Sequence, residues 1–133
     1  MLVALLELPR LPDIAVSPKS SPTVKAAFRR RLSELGWAME PLVHPHYKLT
    51  INALKDGVGL TVQTGNVTRA FYDLMKFQSM YLRESIEAAV LIVPTLGAAD
   101  TMGDNVANFS RITDELHLFR HVITVPCFVM GFE

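Results

Sequence analysis

The sequence predicts an α/β domain with a mixed central sheet flanked by helices, and three observations predict it. Apolar residues recur at helical spacing in three separate stretches. Two short apolar runs, Ala88–Val93 and His121–Val125, read as strands covered on both faces. Between the first two helical stretches, Leu49–Gln63 alternates around Asp56-Gly57, a dipeptide that suits a two-residue hairpin turn because both positions tolerate positive φ. The resulting order is helix, hairpin, helix, strand, helix, strand, and that alternation gives a sheet with helices packed on it.

In chain order, Leu8–Pro22 carries four prolines and reads as an extended arm, which sets residues 1–21 apart from a core domain over residues 22–133. Ser20-Ser21-Pro22 has the form of a helix start, with proline at an early position where an N–H is not needed. The helix places Val24, Ala27, Phe28, Arg31, Leu32 and Leu35 near one face and stops at Gly36, and Trp37 and Met39 are expected to close over its end. His44-Pro45-His46 interrupts the pattern. Asn66–Arg83 then repeats Val67, Ala70, Phe71, Leu74, Phe77, Gln78 and Tyr81 at helical spacing. After the strand Ala88–Val93, Asp104–Phe119 is expected to be helical through Val106, Phe109, Ile112, Leu116 and Phe119. The last strand is expected at His121–Val125, ended or bent by Pro126.

Composition bounds the function. The chain has 133 residues, 50% of them hydrophobic and 20% charged, which supports one core and excludes a disordered tail. Thirteen basic residues against thirteen acidic ones give zero net charge, so there is no long-range pull toward nucleic acid, although a local basic face is compatible with it. That charge is uneven: residues 1–60 carry eight basic and five acidic side chains, and residues 61–133 carry five and eight. The basic excess gathers at Lys25 and Arg29-Arg30-Arg31, which reads as the solvated face of the first helix, with a phosphate-contacting patch as the alternative. The apolar runs are too short or broken to span a bilayer, and no signal-peptide pattern accompanies Met1–Leu6. Cys127 is the sole cysteine, which excludes an intrachain disulfide and a CxxC zinc site. A cytoplasmic protein without a membrane partner or small-molecule cofactor is expected.

The hairpin fixes a register. With Asp56 and Gly57 at the turn, Lys55 faces Val58, Leu54 faces Gly59, Ala53 faces Leu60, Asn52 faces Thr61, Ile51 faces Val62 and Thr50 faces Gln63. Strict alternation sends Ile51, Ala53, Leu60 and Val62 to one core face and lines up Thr50, Asn52, Thr61 and Gln63 on the other. The polar row has an ordinary explanation as a wet face with a cross-strand Asn–Thr hydrogen bond. It also leads into Thr64-Gly65-Asn66, a strand-to-helix junction of the kind that borders sites in α/β sheets.

Lys55–Asn66 resembles the catalytic hairpin of the BglII/BstYI group of type II restriction endonucleases, members of the PD-(D/E)xK nuclease superfamily. In that group an Asp is followed, after eight residues that include the turn, by Glu-x-Gln and a glycine; the two acids hold divalent metal and the Gln replaces the usual lysine. Arg69–Gln78 is similar to the helix after the motif, Ala88–Pro94 to the next strand and Gly103–Phe109 to the group's Gly-Ser-Asn-Ile-Ala-Asn segment. Glu115–Glu133, with His121-Val122-Ile123-Thr124-Val125-Pro126 and Gly131-Phe132-Glu133, is the closest stretch. The resemblance covers Phe28 to Glu133 and implies a restriction-endonuclease-like core, shortened at its C-terminal side.

The departures sit at the chemistry. The resemblance puts Asn52 and Thr61 where the group has its metal-holding Asp and Glu, and leaves Gln63. A neutral amide oxygen and a hydroxyl are poor ligands for Mg²⁺, whose sites rely on anionic oxygen, and losing the ion removes the water activation that hydrolysis needs. No resident metal is therefore expected; Mg²⁺ belongs only to an active form, with Asp56 or Glu40 as substitute acids. Asp56 lies at the hairpin tip, and a catalytic role there requires another register. His44 and His46 flank Pro45 with no third ligand nearby, and Cys127 reads as a buried inert thiol.

The leading expectation is a catalytically degenerate protein that binds double-stranded DNA, forms a homodimer, or both. Expected DNA contacts are Lys48, Lys55, Asn66, Arg69 and Lys76, near the polar hairpin face or the following helix start, where free N–H groups favour phosphate. The alternatives are an active Mg²⁺-dependent site-specific deoxyribonuclease, and a structural or inhibitory subunit.

Overall fold

The computed structural model describes residues 16–133, so the apolar start Met1–Leu6 and most of the proposed arm lie outside the described residues. Helix α1 runs Ser21–Glu34 with Pro22 in its first turn. Its stop follows from Gly36, which adopts φ +87°. That conformation lets the Gly36 N–H reach the Ser33 carbonyl and the Trp37 N–H reach the Leu32 carbonyl, both at 3.1 Å, the paired bonds of a Schellman cap. Val24, Phe28 and Leu32, four residues apart, form the buried stripe. Trp37 is buried over that helix end as expected, and Ala38–Met39 forms a two-residue edge strand, β1, which periodicity is too short to detect.

Strands β2 (Ala53–Lys55) and β3 (Val58–Val62) form the hairpin in the expected register, with Lys55 opposite Val58, Leu54 opposite Gly59 and Ala53 opposite Leu60. Asp56 at φ +51° and Gly57 at φ +77° make the mirror-image turn whose twist matches the strands. Helix α2 (Val67–Leu82) returns the chain, and β4 (Ala88–Pro94) lies parallel to β3 with all seven residues buried. Two short helices follow, α3 (Leu96–Met102) and α4 (Phe109–Leu118), before the last strand β5 (Cys127–Phe132). The sheet order is β1-β2-β3-β4-β5, antiparallel through the hairpin and parallel across β3, β4 and β5. It is the mixed sheet that the element order predicted.

Both faces of the sheet are covered, and β4 shows how. Val90 and Ile92 join Val24, Phe28, Leu32, Ala53, Val58, Leu60 and Val62 in the core beneath α1. Ala89, Leu91 and Val93 join Ala70, Leu74, Phe77 and Met80 in the core beneath α2. Each large side chain fully withdrawn from water in these layers contributes about 1.5–3 kcal/mol.

Three expectations need correction. The final strand lies after Pro126, not before it: His121–Val125 is a turn segment, and β5 begins at Cys127. The turn is held from α2, where the Gln78 side-chain oxygen accepts the N–H groups of Thr124 and Val125, each at 2.8 Å. The helix expected over Asp104–Phe119 starts only at Phe109, where the Asn108 side chain caps it through the Arg111 N–H at 2.9 Å. The preceding residues pair with the β3–α2 junction instead: the Val67 N–H reaches the Asn105 carbonyl at 3.1 Å and the Ala107 N–H reaches that of Gly65 at 2.9 Å. Finally, Ile51 packs in the α2 layer, while Ala53, Leu60 and Val62 pack in the α1 layer. The two-residue alternation fails because the β2–β3 ladder stops at Ala53.

Candidate functional site

β3 ends in polar residues that the fold nevertheless buries. Thr61 is 4% exposed and Gln63 is 8%, so this half of the polar row is not a wet sheet face, while Thr50 and Asn52 are half-buried. The Gln63 N–H donates to the Ile92 carbonyl at 2.8 Å, carrying the ladder one residue beyond β3. Its side chain is fixed at both ends. Oε1 accepts the Gly65 N–H at 2.8 Å, and Nε2 donates to Oδ2 of Asp73 at 2.6 Å.

Asp73 is the residue that sequence reasoning missed. It occupies a core position of α2, three residues after Ala70 and four before Phe77, a spacing visible in the sequence. Burial raises its carboxyl above the ordinary carboxylate range, while the Gln63 hydrogen bond and the charges of Lys76, Lys25 and Arg69 pull it partly back. Lys76 lies 3.8 Å from Asp73 Oδ1, sits 4.8 Å from the centre of the Tyr72 ring and donates to the Thr50 carbonyl at 3.1 Å. The Ser21 hydroxyl at the start of α1 hydrogen-bonds to the Thr64 hydroxyl, which ties that helix to the same junction.

Asn52, one residue before β2, meets the end of β3. Its Oδ1 accepts the Val62 N–H at 2.8 Å, and its own N–H lies 3.4 Å from the Thr61 hydroxyl. Side chains thus carry the cross-strand bonds where backbone pairing has ended. Beside Asn52, a small recess is lined by Lys25, Arg29, Leu32, Met39, Asn52 and Val62. Glu40 stands at its rim: its N–H donates to the Asn52 carbonyl at 2.8 Å, and its carboxylate is ion-paired with Arg29.

The expected single polar row is split: Gln63 bonds to Asp73 of α2, whereas Asn52 lines the recess beside α1 and meets Thr61 through its backbone N–H, and Arg69 and Lys76 stand on α2. Asn66 caps α2, its Oδ1 accepting from the N–H and the hydroxyl of Thr68 at 2.9 Å each, and it remains exposed. Lys48 is exposed on the segment between β1 and β2. Lys55 and Asp56 are not brought to the site. They stand at the turn end of the hairpin, three and four residues from Asn52, which is about 10–13 Å at ~3.3 Å per residue, and Lys55 donates to the Leu35 carbonyl at 2.7 Å. Cys127 has its thiol pushed up to about 12 by burial, which keeps it protonated and unreactive at neutral pH.

A family profile described as restriction endonuclease BglII/BglIII matches residues 1–132. The chain belongs to that family. Two solved structures share the fold: the crystal structure of restriction endonuclease BglII complexed with a DNA 16-mer, with a TM-score of 0.75 at 12% identity, and that of free BglII, with 0.65 at 14%. The first comparison covers 84% of this chain and 55% of BglII, and the second covers 90% and 65%, so the chain spans less than two thirds of the BglII length. No curated protein sequence matches the chain significantly. Among the described residues no helix is long and apolar enough to cross a membrane.

Divalent metal is the cofactor associated with this endonuclease family, and the residues present do not fit it. The oxygens of Asn52 and Thr61 are neutral and already accept backbone N–H groups. Of the two nearby carboxylates, Asp73 is hydrogen-bonded to Gln63, and Glu40 stands exposed beside Arg29. Among the described residues no three His, Cys, Asp or Glu side chains converge as ligands. A hard cation needs several converging oxygens with anionic charge among them, and the site offers cations instead.

Proposed function

We propose that this chain is a DNA-binding member of the BglII/BglIII restriction endonuclease family that does not cleave by a metal-dependent route. The observation that carries the reading is Asn52: a neutral side chain is spent on the Val62 N–H where the family resemblance calls for a metal-holding acid. Removing the paired acids also removes their repulsion of phosphate, so the change favours DNA affinity while it disfavours hydrolysis. Support for DNA as the partner comes from the fold likeness to BglII in complex with DNA, and from the basic and polar side chains Lys25, Arg29, Asn66, Arg69 and Lys76 around the polar end of β3. Lys48 and Lys55 belong to the wider set of proposed contacts.

A homodimer is part of the proposal, supported by an apolar groove between α2 and α4 that includes Phe71, Met75, Phe119 and Val122, of which Met75 is 64% and Val122 67% exposed. The cytoplasmic location is proposed with it. The test is fluorescence anisotropy of a labelled duplex over a range of salt concentrations. Binding should weaken linearly in log–log form, by about 0.9 per phosphate contact. No binding at low salt would remove the DNA-binding reading.

A further inference from the structure

The recess beside Asn52 carries charge of the wrong sign for a metal site and the right sign for an anion. Lys25 and Arg29 lie four residues apart on α1, which puts both side chains along one line of the helix surface, next to the buried stripe of Val24, Phe28 and Leu32. Both reach the recess whose remaining lining is Leu32, Met39, Asn52 and Val62. Among the described residues Lys25 has no hydrogen-bond or ion-pair partner, and Arg29 has only the exposed pair with Glu40. Exposed pairs of this kind are weak and readily exchanged for a better acceptor. Around the polar end of β3, four basic side chains (Lys25, Arg29, Arg69 and Lys76) face two carboxylates (Asp73 and Glu40), a local charge of +2 in a chain whose net charge is zero. Lys25 is also one of the cations whose charge acts on the buried Asp73 carboxyl at the β3 end.

We infer that Lys25 and Arg29, with the side-chain amide of Asn52, form a subsite that holds a backbone phosphodiester directly, without a divalent ion. This rests on the DNA-binding reading and deepens it. Arg29 supplies a planar fork suited to two phosphate oxygens, Lys25 supplies a movable ammonium, and the Asn52 amide NH₂ remains a donor while its oxygen holds the Val62 N–H. A carboxylate at residue 52 would stand between these cations and the phosphate and cancel part of their charge. The neutral amide is therefore what makes a metal-free phosphate site consistent with this scaffold.

The test uses the full chain with a short labelled duplex in EDTA. Lys25→Ala with Arg29→Ala is compared with Arg30→Ala with Arg120→Ala, a pair of equal charge change at exposed positions outside the recess. The subsite variant is expected to lose at least tenfold in affinity and about 0.9 in salt slope, one phosphate contact, while the control stays within about twofold. Adding Mg²⁺ at matched ionic strength should not strengthen wild-type binding. Equal losses in the two variants, or a requirement for Mg²⁺, would overturn the subsite while leaving DNA binding intact. Inorganic phosphate, followed by NMR at the Asn52 and Val62 amides, probes the recess independently of DNA. Saturable shifts in the wild type that vanish in the Lys25/Arg29 variant support the subsite even if no duplex binds. No shift in the wild type overturns it.

Discussion

The two ends of one hairpin are built by different rules. At the turn end, Asp56 and Gly57 take the positive φ values their residue types tolerate, and the ladder from Lys55 to Ala53 follows regularly. At the open end, backbone pairing has stopped, and the strands are joined through the Asn52 side chain and the Thr61 hydroxyl. The turn end is a local backbone solution. The open end is a tertiary solution, in which a polar group is tolerated in the interior because a specific partner satisfies it. A site that must present chemistry belongs at the second kind of end, since its side chains are held without being consumed by the regular ladder.

The largest expected effect lies between the two ends. Gly59 sits mid-strand, and a Cβ there would lie 2.9 Å from Ile51 Cδ1 and 3.3 Å from Phe77 Cε1, both core atoms. Gly59→Val is expected to cost about 3 kcal/mol by overpacking, read as a lower urea midpoint. Asn52→Ala should come next. It strands the Val62 N–H, and about 2 kcal/mol should be lost. Asn52→Asp keeps an acceptor for that N–H, so it should retain most of the stability while weakening duplex binding in EDTA. If Asn52→Ala is as stable as wild type, the side-chain closure of the open end is wrong.

Asp73 sharpens the comparison through pH. A carboxyl raised in the folded state contributes stability that is fully present below its unfolded pKa and is lost as pH rises through its folded value. Folded wild type should therefore lose stability relative to Asp73→Asn as pH rises from the ordinary carboxylate range through that raised value. Parallel stability–pH curves for the two proteins would contradict the buried, desolvated carboxyl. The smallest effect belongs to Thr61→Val. The hydroxyl contact is long at 3.4 Å, so less than about 1 kcal/mol should change, and a larger loss would mean that Thr61 holds more of the open end than its geometry implies.

Legibility followed the same division. The hairpin register, α1, α2 and β4 were readable because turn chemistry and apolar spacing act locally. The family resemblance brought out Asn52, Thr61 and Gln63, of which Asn52 and Thr61 meet at the open end of the hairpin while Gln63 turns to Asp73. What failed depended on partners far along the chain. Pro126 marks the start of β5, and its carbonyl accepts the Ala89 N–H of β4 at 2.9 Å, which no local pattern in His121–Phe132 reveals. The segment after Gly103 pairs with Gly65 and Val67 instead of extending α4. Ile51 changed layers because alternation was carried past the point where pairing ends. Lys25 and Arg29 were visible as a basic run, yet only the packing of α1 shows that they face Asn52. Asp73 was detectable as an acid on an apolar stripe, but its meaning required Gln63 across the sheet.

On the proposed function, this scaffold holds DNA and does not cut it. The most direct measurement incubates supercoiled plasmid with the protein in Mg²⁺, in Mn²⁺ and in EDTA, with bound and cleaved DNA resolved from the same samples. Retarded but intact plasmid under all three conditions is the expected result. Nicks or discrete fragments that appear with metal and disappear with EDTA would contradict the account.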